Sequence, residues 1–185
     1  MKKLAVVLLV CAGVCWSGSV WAQLFITVTP AGTSGCPPTG VVAACPAGDM
    51  DWFQVTVQEV PPAPGSIITV TVNPVAGLCI CPGQSPQSAV EGAGGAVTLS
   101  FWRLGGCVGV SFTAVTTTPG VLPVTSPRFP MISPDINGDC IVNLVDFGIF
   151  AQNFLGTWYC CDYNCDGVVN LIDFAIFARH FTHWC

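Results

Sequence analysis

Asp135-Ile136-Asn137-Gly138-Asp139-Cys140-Ile141-Val142-Asn143-Leu144-Val145-Asp146 returns 27 residues later as Asp162-Tyr163-Asn164-Cys165-Asp166-Gly167-Val168-Val169-Asn170-Leu171-Ile172-Asp173. Over the 20 positions from 135 to 154, 12 are identical to their counterparts, so the segment is a duplicated unit. Each copy opens on a polar loop and then repeats apolar residues at helical spacing. These are Phe147, Phe150, Ala151 and Phe154 in the first copy, and Phe174, Phe177, Ala178 and Phe181 in the second. The period predicts helices over 144–155 and 171–182. A second apolar stripe, Val145/Ile149 and Ile172/Ile176, runs beside the phenylalanines. One stripe is expected to face a core, and the other to meet either the rest of the chain or a partner.

Oxygen-bearing side chains stand at loop positions 1, 3, 5, 9 and 12 of both copies, which is the ligand spacing of a calcium loop. The candidate ligands are Asp135, Asn137, Asp139, Asn143 and Asp146, then Asp162, Asn164, Asp166, Asn170 and Asp173. Position 7, Ile141 or Val168, would add a backbone carbonyl. Three carboxylates gathered in one loop repel until a hard divalent cation neutralises them, so two calcium ions are expected. The short Asp at position 12 would also suit magnesium, but the number of oxygens favours calcium. Asp-x-Asn-Gly-Asp taken alone is also an ordinary turn before a helix; the second copy at equal spacing argues against that reading. Position 6, where the sharp turn wants glycine, is Cys140 in the first copy, which predicts a strained or weaker loop. Position 8, Val142 and Val169, is expected to join the two loops through a short β-bridge.

At these residues the chain resembles the dockerin type I repeat, a duplicated Asp-x-Asn-x-Asp-Gly-x-Val-Asn-x-x-Asp loop followed by one helix. Asp162 to Asp173 follow that pattern nearly throughout, and Asp135 to Asp146 depart from it at Cys140. The resemblance covers residues 132–185 only. It implies a cohesin-like protein module as partner and an association with extracellular polysaccharide degradation. It also implies partner contacts at Leu144, Val145 and Gln152 and at Leu171, Ile172 and Arg179. Many family members carry Ser or Thr at the first pair of positions and Lys or Arg on the helix, whereas this chain carries Leu-Val and Leu-Ile. The stretch 156–161 between the repeats is also short for the family.

The rest of the chain sets the context. Met1-Lys2-Lys3, the apolar run 4–14 and Val20-Trp21-Ala22 read as a signal peptide over 1–22, cleaved after Ala22. The apolar run is too short to span a bilayer, so a secreted mature protein without a membrane span is expected. The formal net charge is -5, from five Lys and Arg against ten Asp and Glu. Without Lys2 and Lys3 the fixed cations are Arg103, Arg128 and Arg179, too few to build a nucleic-acid surface. With so few charges, Thr, Ser, Gln and Gly must carry the solvent-facing surface.

Residues 24–29, 52–60, 67–72, 97–102 and 108–115 are rich in Val, Ile, Thr and aromatics and are separated by Gly/Pro clusters. They predict an all-β, immunoglobulin-like sandwich over 23–126, followed by a Pro-rich linker over 127–131. The whole reads as an α+β multi-module chain, with a small all-α pair of loop–helix repeats over 132–185.

Of the 12 cysteines, Cys11 and Cys15 fall in the leader. The other ten suit five disulfides in an oxidising compartment. Cys36, Cys45, Cys79, Cys81 and Cys107 precede the repeats, and Cys140, Cys160, Cys161, Cys165 and Cys185 lie within them. Both sets are odd, so full pairing requires at least one bridge between the parts. Cys160, Cys161, Cys165, His180, His183 and Cys185 have zinc-ligand chemistry, but the compartment favours disulfides, with a clasp from Cys160 or Cys161 to Cys185 expected.

Asp49, Asp51, Glu59 and Glu91 are the only acids of the sandwich, which has no histidine, so Ser-His-Asp and Cys-His chemistry is excluded there. A glycosidase pair drawn from these acids has little support. Trp52, Phe53, Phe101 and Trp102 can stack on sugars, although core packing accounts for most of them. The favoured reading is a non-catalytic secreted adaptor. A polysaccharide-active or carbohydrate-binding module carrying a docking tag, and a structural protein with a calcium-stabilised cap, stand beside it.

Overall fold

The computed structural model describes residues 22–31, 42–45 and 47–185. The expected leader up to residue 21, and Cys36, lie outside the described residues. Among the described residues the chain is mostly β, with two short helices, both after residue 140. The strands are β1 (Gln23–Ala31), β2 (Val42–Ala43), β3 (Trp52–Val60), β4 (Ile67–Val72), β5 (Cys79–Ile80), β6 (Gln87–Val90), β7 (Ala96–Phe101), β8 (Leu104–Gly105), β9 (Val108–Val110), β10 (Phe112–Thr116), β11 (Val124–Thr125) and β12 (Phe129–Ile132). The helices are α1 (Leu144–Gln152) and α2 (Leu171–Arg179), with a single 3-10 turn at Tyr159–Cys161 between them. Among the described residues no helix is long and apolar enough to cross a membrane.

Two antiparallel sheets, ordered β1-β3-β7 and β11-β10-β4-β6, bury their inner faces against each other. Alternation along β3 sends Phe53, Val55 and Val57 inward, and β4 answers with Ile68, Val70 and Val72. Phe53 and Phe101 both pack on Phe112, with ring centroids 5.4 and 5.0 Å apart. Each such side chain contributes about 1.5–3 kcal/mol by leaving water. On the outer faces, hydroxyl pairs take the place of charges: Thr56–Thr98 at 3.0 Å, Thr69–Ser88 at 2.8 Å and Thr113–Thr125 at 2.9 Å. Cross-strand Thr/Ser pairs of this kind stabilise a sheet modestly while keeping it wettable.

The expected single strand over 108–115 is divided at Ser111. Its first part, β9, pairs with β12, while β10 pairs with β4, so the chain changes sheet at this residue. The carbonyl of Ser111 accepts from the N–H of Asn73 (2.9 Å), and Phe112 N–H donates to Ser126 Oγ (3.0 Å), which keeps the corner's polar groups bonded.

The expected linker over 127–131 is replaced in its second half by structure. β12 runs antiparallel to β9 and parallel to β2, with Met131 opposite both Val108 and Val42. Met131 and Ile132 are buried, and that burial holds a proline-containing segment in a sheet.

A second core lies beyond β12. Ala43, Cys45, Met50 and Ile132 from the β-rich part pack with Ile136, Val142, Phe150, Tyr163, Val169 and Phe177 from the repeats. Disulfides cross the same boundary, among them Cys79–Cys140, Cys81–Cys185 and Cys107–Cys160. The clasp from Cys160 or Cys161 to Cys185 is therefore not formed, because both Cys160 and Cys185 reach across to the sandwich. Cys165 is also disulfide-bonded. Cys45 and Cys161 are buried free thiols, so full pairing of the ten does not occur.

Candidate metal centres in the paired acidic loops

The loops share most of their hydrogen bonds. In the first, Asp146 Oδ1 accepts from the N–H groups of Ile136 (2.8 Å) and Asn137 (3.1 Å), and its Oδ2 from Asn143 N–H (2.9 Å). In the second, Asp173 Oδ1 accepts from Tyr163 (2.7 Å) and Asn164 (3.2 Å), and its Oδ2 from Asn170 (2.9 Å). Asp135 Oδ2 accepts from Cys140 N–H (3.0 Å) as Asp162 Oδ2 does from Gly167 N–H (2.9 Å). Asp139 and Asp166 each accept from the N–H two residues on, at Ile141 and Val168, both at 3.0 Å.

Each last aspartate also belongs to its helix. Asn143 and Asn170 are N-caps whose side-chain oxygens accept from Val145 and Ile172 N–H, both at 2.7 Å, and Asp146 and Asp173 close the capping boxes. The oxygens of Asn143 and Asn170 thus face the helices, while their amide nitrogens reach Asp139 and Asp166 and the carbonyls of Ile141 and Val168. Asn137 and Asn164 likewise donate to Asp139 and Asp166, both at 2.9 Å.

Folding this way gathers carboxylate oxygens of Asp135, Asp139 and Asp146 within 4.8 Å of one another, and does the same for Asp162, Asp166 and Asp173. In each set the first and last aspartates are buried and the middle one is exposed. Burial, reinforced by the charge of Asp146, pushes Asp135 up to about 6, and burial also raises Asp146. Exposed Asp166 is instead lowered, chiefly by the Asn164 side-chain hydrogen bond. The ionised form of Asp135 is therefore disfavoured. A hard divalent cation relieves like-charge crowding of this kind.

Both loops turn through left-handed residues at positions 4 and 6. These are Gly138 (φ 72°) and Cys140 (φ 75°) in the first, and Cys165 (φ 56°) and Gly167 (φ 92°) in the second. Each loop thus spends one glycine and one disulfide-bonded cysteine on two positions where an L side chain is disfavoured. The strain expected at Cys140 is present, and the bridge to Cys79 and the hydrogen bond to Asp135 hold it in place.

The position-8 residues do not bridge the two loops. Val169 N–H donates to Gly156 O (2.9 Å) and its carbonyl accepts from Leu155 N–H (2.8 Å); Val142 likewise pairs with His183 (2.8 Å) and Thr182 (2.9 Å). Each loop is clamped by the residues that follow the other repeat's helix, because Leu155 (φ 63°) and Thr182 (φ 70°) reverse the chain there.

The phenylalanine stripes meet about a pseudo-two-fold that relates the two repeats. Phe150–Phe177 (5.3 Å) and Phe147–Phe174 (6.2 Å) join equivalent residues, and Phe147–Phe177 (6.2 Å) mirrors Phe150–Phe174 (6.0 Å). Only Phe150 and Phe177 of the six are fully buried. Ile149 and Ile176 are partly buried against the second core. Leu144, Val145, Leu171 and Ile172 stay 73, 58, 71 and 57% exposed, and Gln152 and Arg179 are also exposed.

The other candidates separate. Phe53 and Phe101 are core residues, Trp52 is half-buried and Trp102 is exposed. Glu59 and Glu91 are buried and share Ser66 Oγ, at 3.4 and 2.8 Å, which removes them from any polymer. His180 and His183 lie beside Cys45 and Asp49. Residue types alone signalled a metal-binding chemistry there; the Cys45–Asp49 half of the cluster had no local signal. Comparison of the sequence with protein-family models and with curated proteins finds no match.

Proposed function

We propose that residues 132–185 are a calcium-loaded docking module, and that the protein is a secreted adaptor rather than an enzyme. Asp135, Asp139 and Asp146 hold one ion and Asp162, Asp166 and Asp173 the other, with the carbonyls of Ile141 and Val168 as further oxygens. The reading rests above all on the four aliphatic side chains at the helix starts. Phe150 and Phe177 already fill the core between the helices, yet both repeats keep a pair of large apolar residues in water. Exposed apolar residues at symmetry-equivalent places suit a protein partner. By the resemblance to dockerins that partner is a cohesin-like module, and the setting is extracellular polysaccharide degradation.

Titration of a cohesin panel against the full chain, with calcium and with chelator, tests the proposal. Calcium-dependent binding that disappears in the Val145→Asp/Ile172→Asp double variant supports it. A folded, calcium-loaded protein that binds none of the panel overturns the docking role.

A second reading draws on the shared core and the crossing disulfides: the repeats are a calcium-stabilised cap on the sandwich. In that case chelation lowers the melting temperature while no partner is bound.

A further inference from the structure

A second group of metal-ligand side chains lies at the boundary between β2 and the C-terminal segment, and its chemistry differs from that of the acidic loops. Cys45 Sγ is 3.6 Å from His183 Nδ1, and the Nδ1 atoms of His180 and His183 are 3.4 Å apart. Asp49 offers Oδ2 at 3.2 Å from His180 Nδ1 and Oδ1 at 3.6 Å from His183 Nδ1. One ligand atom from each of the four residues lies within 4.8 Å of the others.

Hydrogen bonding serves this arrangement poorly. A ring nitrogen carries one proton or one lone pair and satisfies one neighbour, yet His183 Nδ1 has three polar atoms within 3.6 Å. A shared central cation satisfies all of them at once. Zinc bonds nitrogen at about 2.0–2.1 Å and sulfur at about 2.3 Å, so tetrahedral angles put N···N near ~3.4 Å and N···S near ~3.6 Å. The observed 3.4 and 3.6 Å are those edges.

We propose that Cys45, Asp49, His180 and His183 form a structural site for one tetrahedral transition-metal ion, with zinc the fitting occupant. One thiolate, two imidazoles and a single carboxylate match zinc and do not match calcium, which takes six to eight oxygens. Four protein donors leave no open position, so the site is structural rather than catalytic.

The backbone holds the donors in place before any ion arrives. Ala44 N–H donates to Ile132 O (2.9 Å), Gly48 N–H to Cys45 O (2.8 Å) and Asp51 N–H to Ala43 O (2.9 Å), which folds Asp49 back over Cys45. His180 is the C-cap of α2, and His183 N–H donates to His180 O (3.0 Å), which brings both rings to one side. Cys45 and His180 are buried while Asp49 is exposed, so an ion has a route in from the Asp49 side. The site would tie the segment after β2 to the C-terminal segment, adding a link beside the crossing disulfides.

The test uses the intact, oxidised full chain with excess calcium, so that the acidic loops are filled and silent. Cobalt(II) is titrated first and then displaced with zinc. A thiolate-to-cobalt charge-transfer band with tetrahedral visible bands, saturating at one ion per chain and abolished by stoichiometric zinc, is expected. Cys45→Ser should remove the charge-transfer band, and His183→Ala should weaken cobalt binding by about tenfold or more. Each variant is checked for its disulfide map and its calcium-dependent melting, so that misfolding is recognised. Octahedral cobalt without a thiolate band overturns the proposal, as does Cys45 linked to Cys161 on mass mapping of the unreduced protein. Neither result bears on calcium in the loops.

Discussion

Cys79, in β5 of the β-rich part, is disulfide-bonded to Cys140, the left-handed sixth residue of the first acidic loop, across 61 residues of chain. The bond fixes the loop at the one position where its sequence departs from glycine. A bridge of this separation stabilises by about 2–4 kcal/mol. A cysteine held at positive φ costs about 1–2 kcal/mol. Two double variants separate the terms: Cys79→Ala/Cys140→Ala loses the bridge and keeps the strain, whereas Cys79→Ala/Cys140→Gly loses both. Denaturant unfolding should find the glycine variant the more stable by about 1 kcal/mol.

Calcium should be bound at two sites, and each should depend on its own last aspartate. Asp146 and Asp173 each accept three backbone N–H bonds as well as facing the other carboxylates. Asp146→Asn should therefore remove one ion in an isothermal titration and leave the second, and Asp173→Asn the reverse. Chelation of the wild type should lower its melting temperature, because binding energy becomes folding energy. A chelator-insensitive melt would remove calcium from the account.

The two sites should part company with pH. Asp135 is pushed up to about 6 by burial and by Asp146, above its ordinary unfolded value. A folded pKa above the unfolded one contributes stability that is full below about 4 and lost as pH rises through about 6, so the calcium-free protein should weaken over that interval. Calcium needs the ionised carboxylate, so affinity at the first loop should fall as pH drops below about 6. The second loop, with Asp166 lowered, should hold its ion further into acid. Calcium titrations at pH 7 and pH 5 check the order of loss.

Phe150 and Val145 lie on one helix and should respond oppositely to substitution. Phe150 is buried against Phe177, so Phe150→Ala should cost about 3–5 kcal/mol of stability. Val145 and Ile172 are exposed, so aspartate at either should change stability by only about 0.5 kcal/mol. Unfolding by denaturant separates the two classes. If Val145→Asp/Ile172→Asp unfolds the protein, those residues are structural and the docking surface is lost with them.

The sequence by itself determined what is decided within a few residues of chain. Strands Trp52–Val60 and Ile67–Val72 follow from β-branched alternation, which the pleat converts directly into an inner and an outer face. The starts of both helices follow from Asn143 with Asp146 and Asn170 with Asp173, since a cap and its partner are three residues apart. The acidic clusters follow from spacing alone, and the duplication made them legible.

Tertiary structure decided everything that joins distant residues. Val42–Ala43, Cys79–Ile80 and Leu104–Gly105 are too short to carry a period: the first exists because β12 lies beside it, and the other two because the fold brings them together as a pair. Residues 129–131 read as linker until β2 and β9 supply partners that bury Met131. Cysteine types do not choose partners; Cα separations of 5.2–5.6 Å do, and the packing sets these between residues 53 to 104 apart in sequence. For the same reason His180 and His183, next to bridged cysteines in sequence, face Cys45 and Asp49 in space.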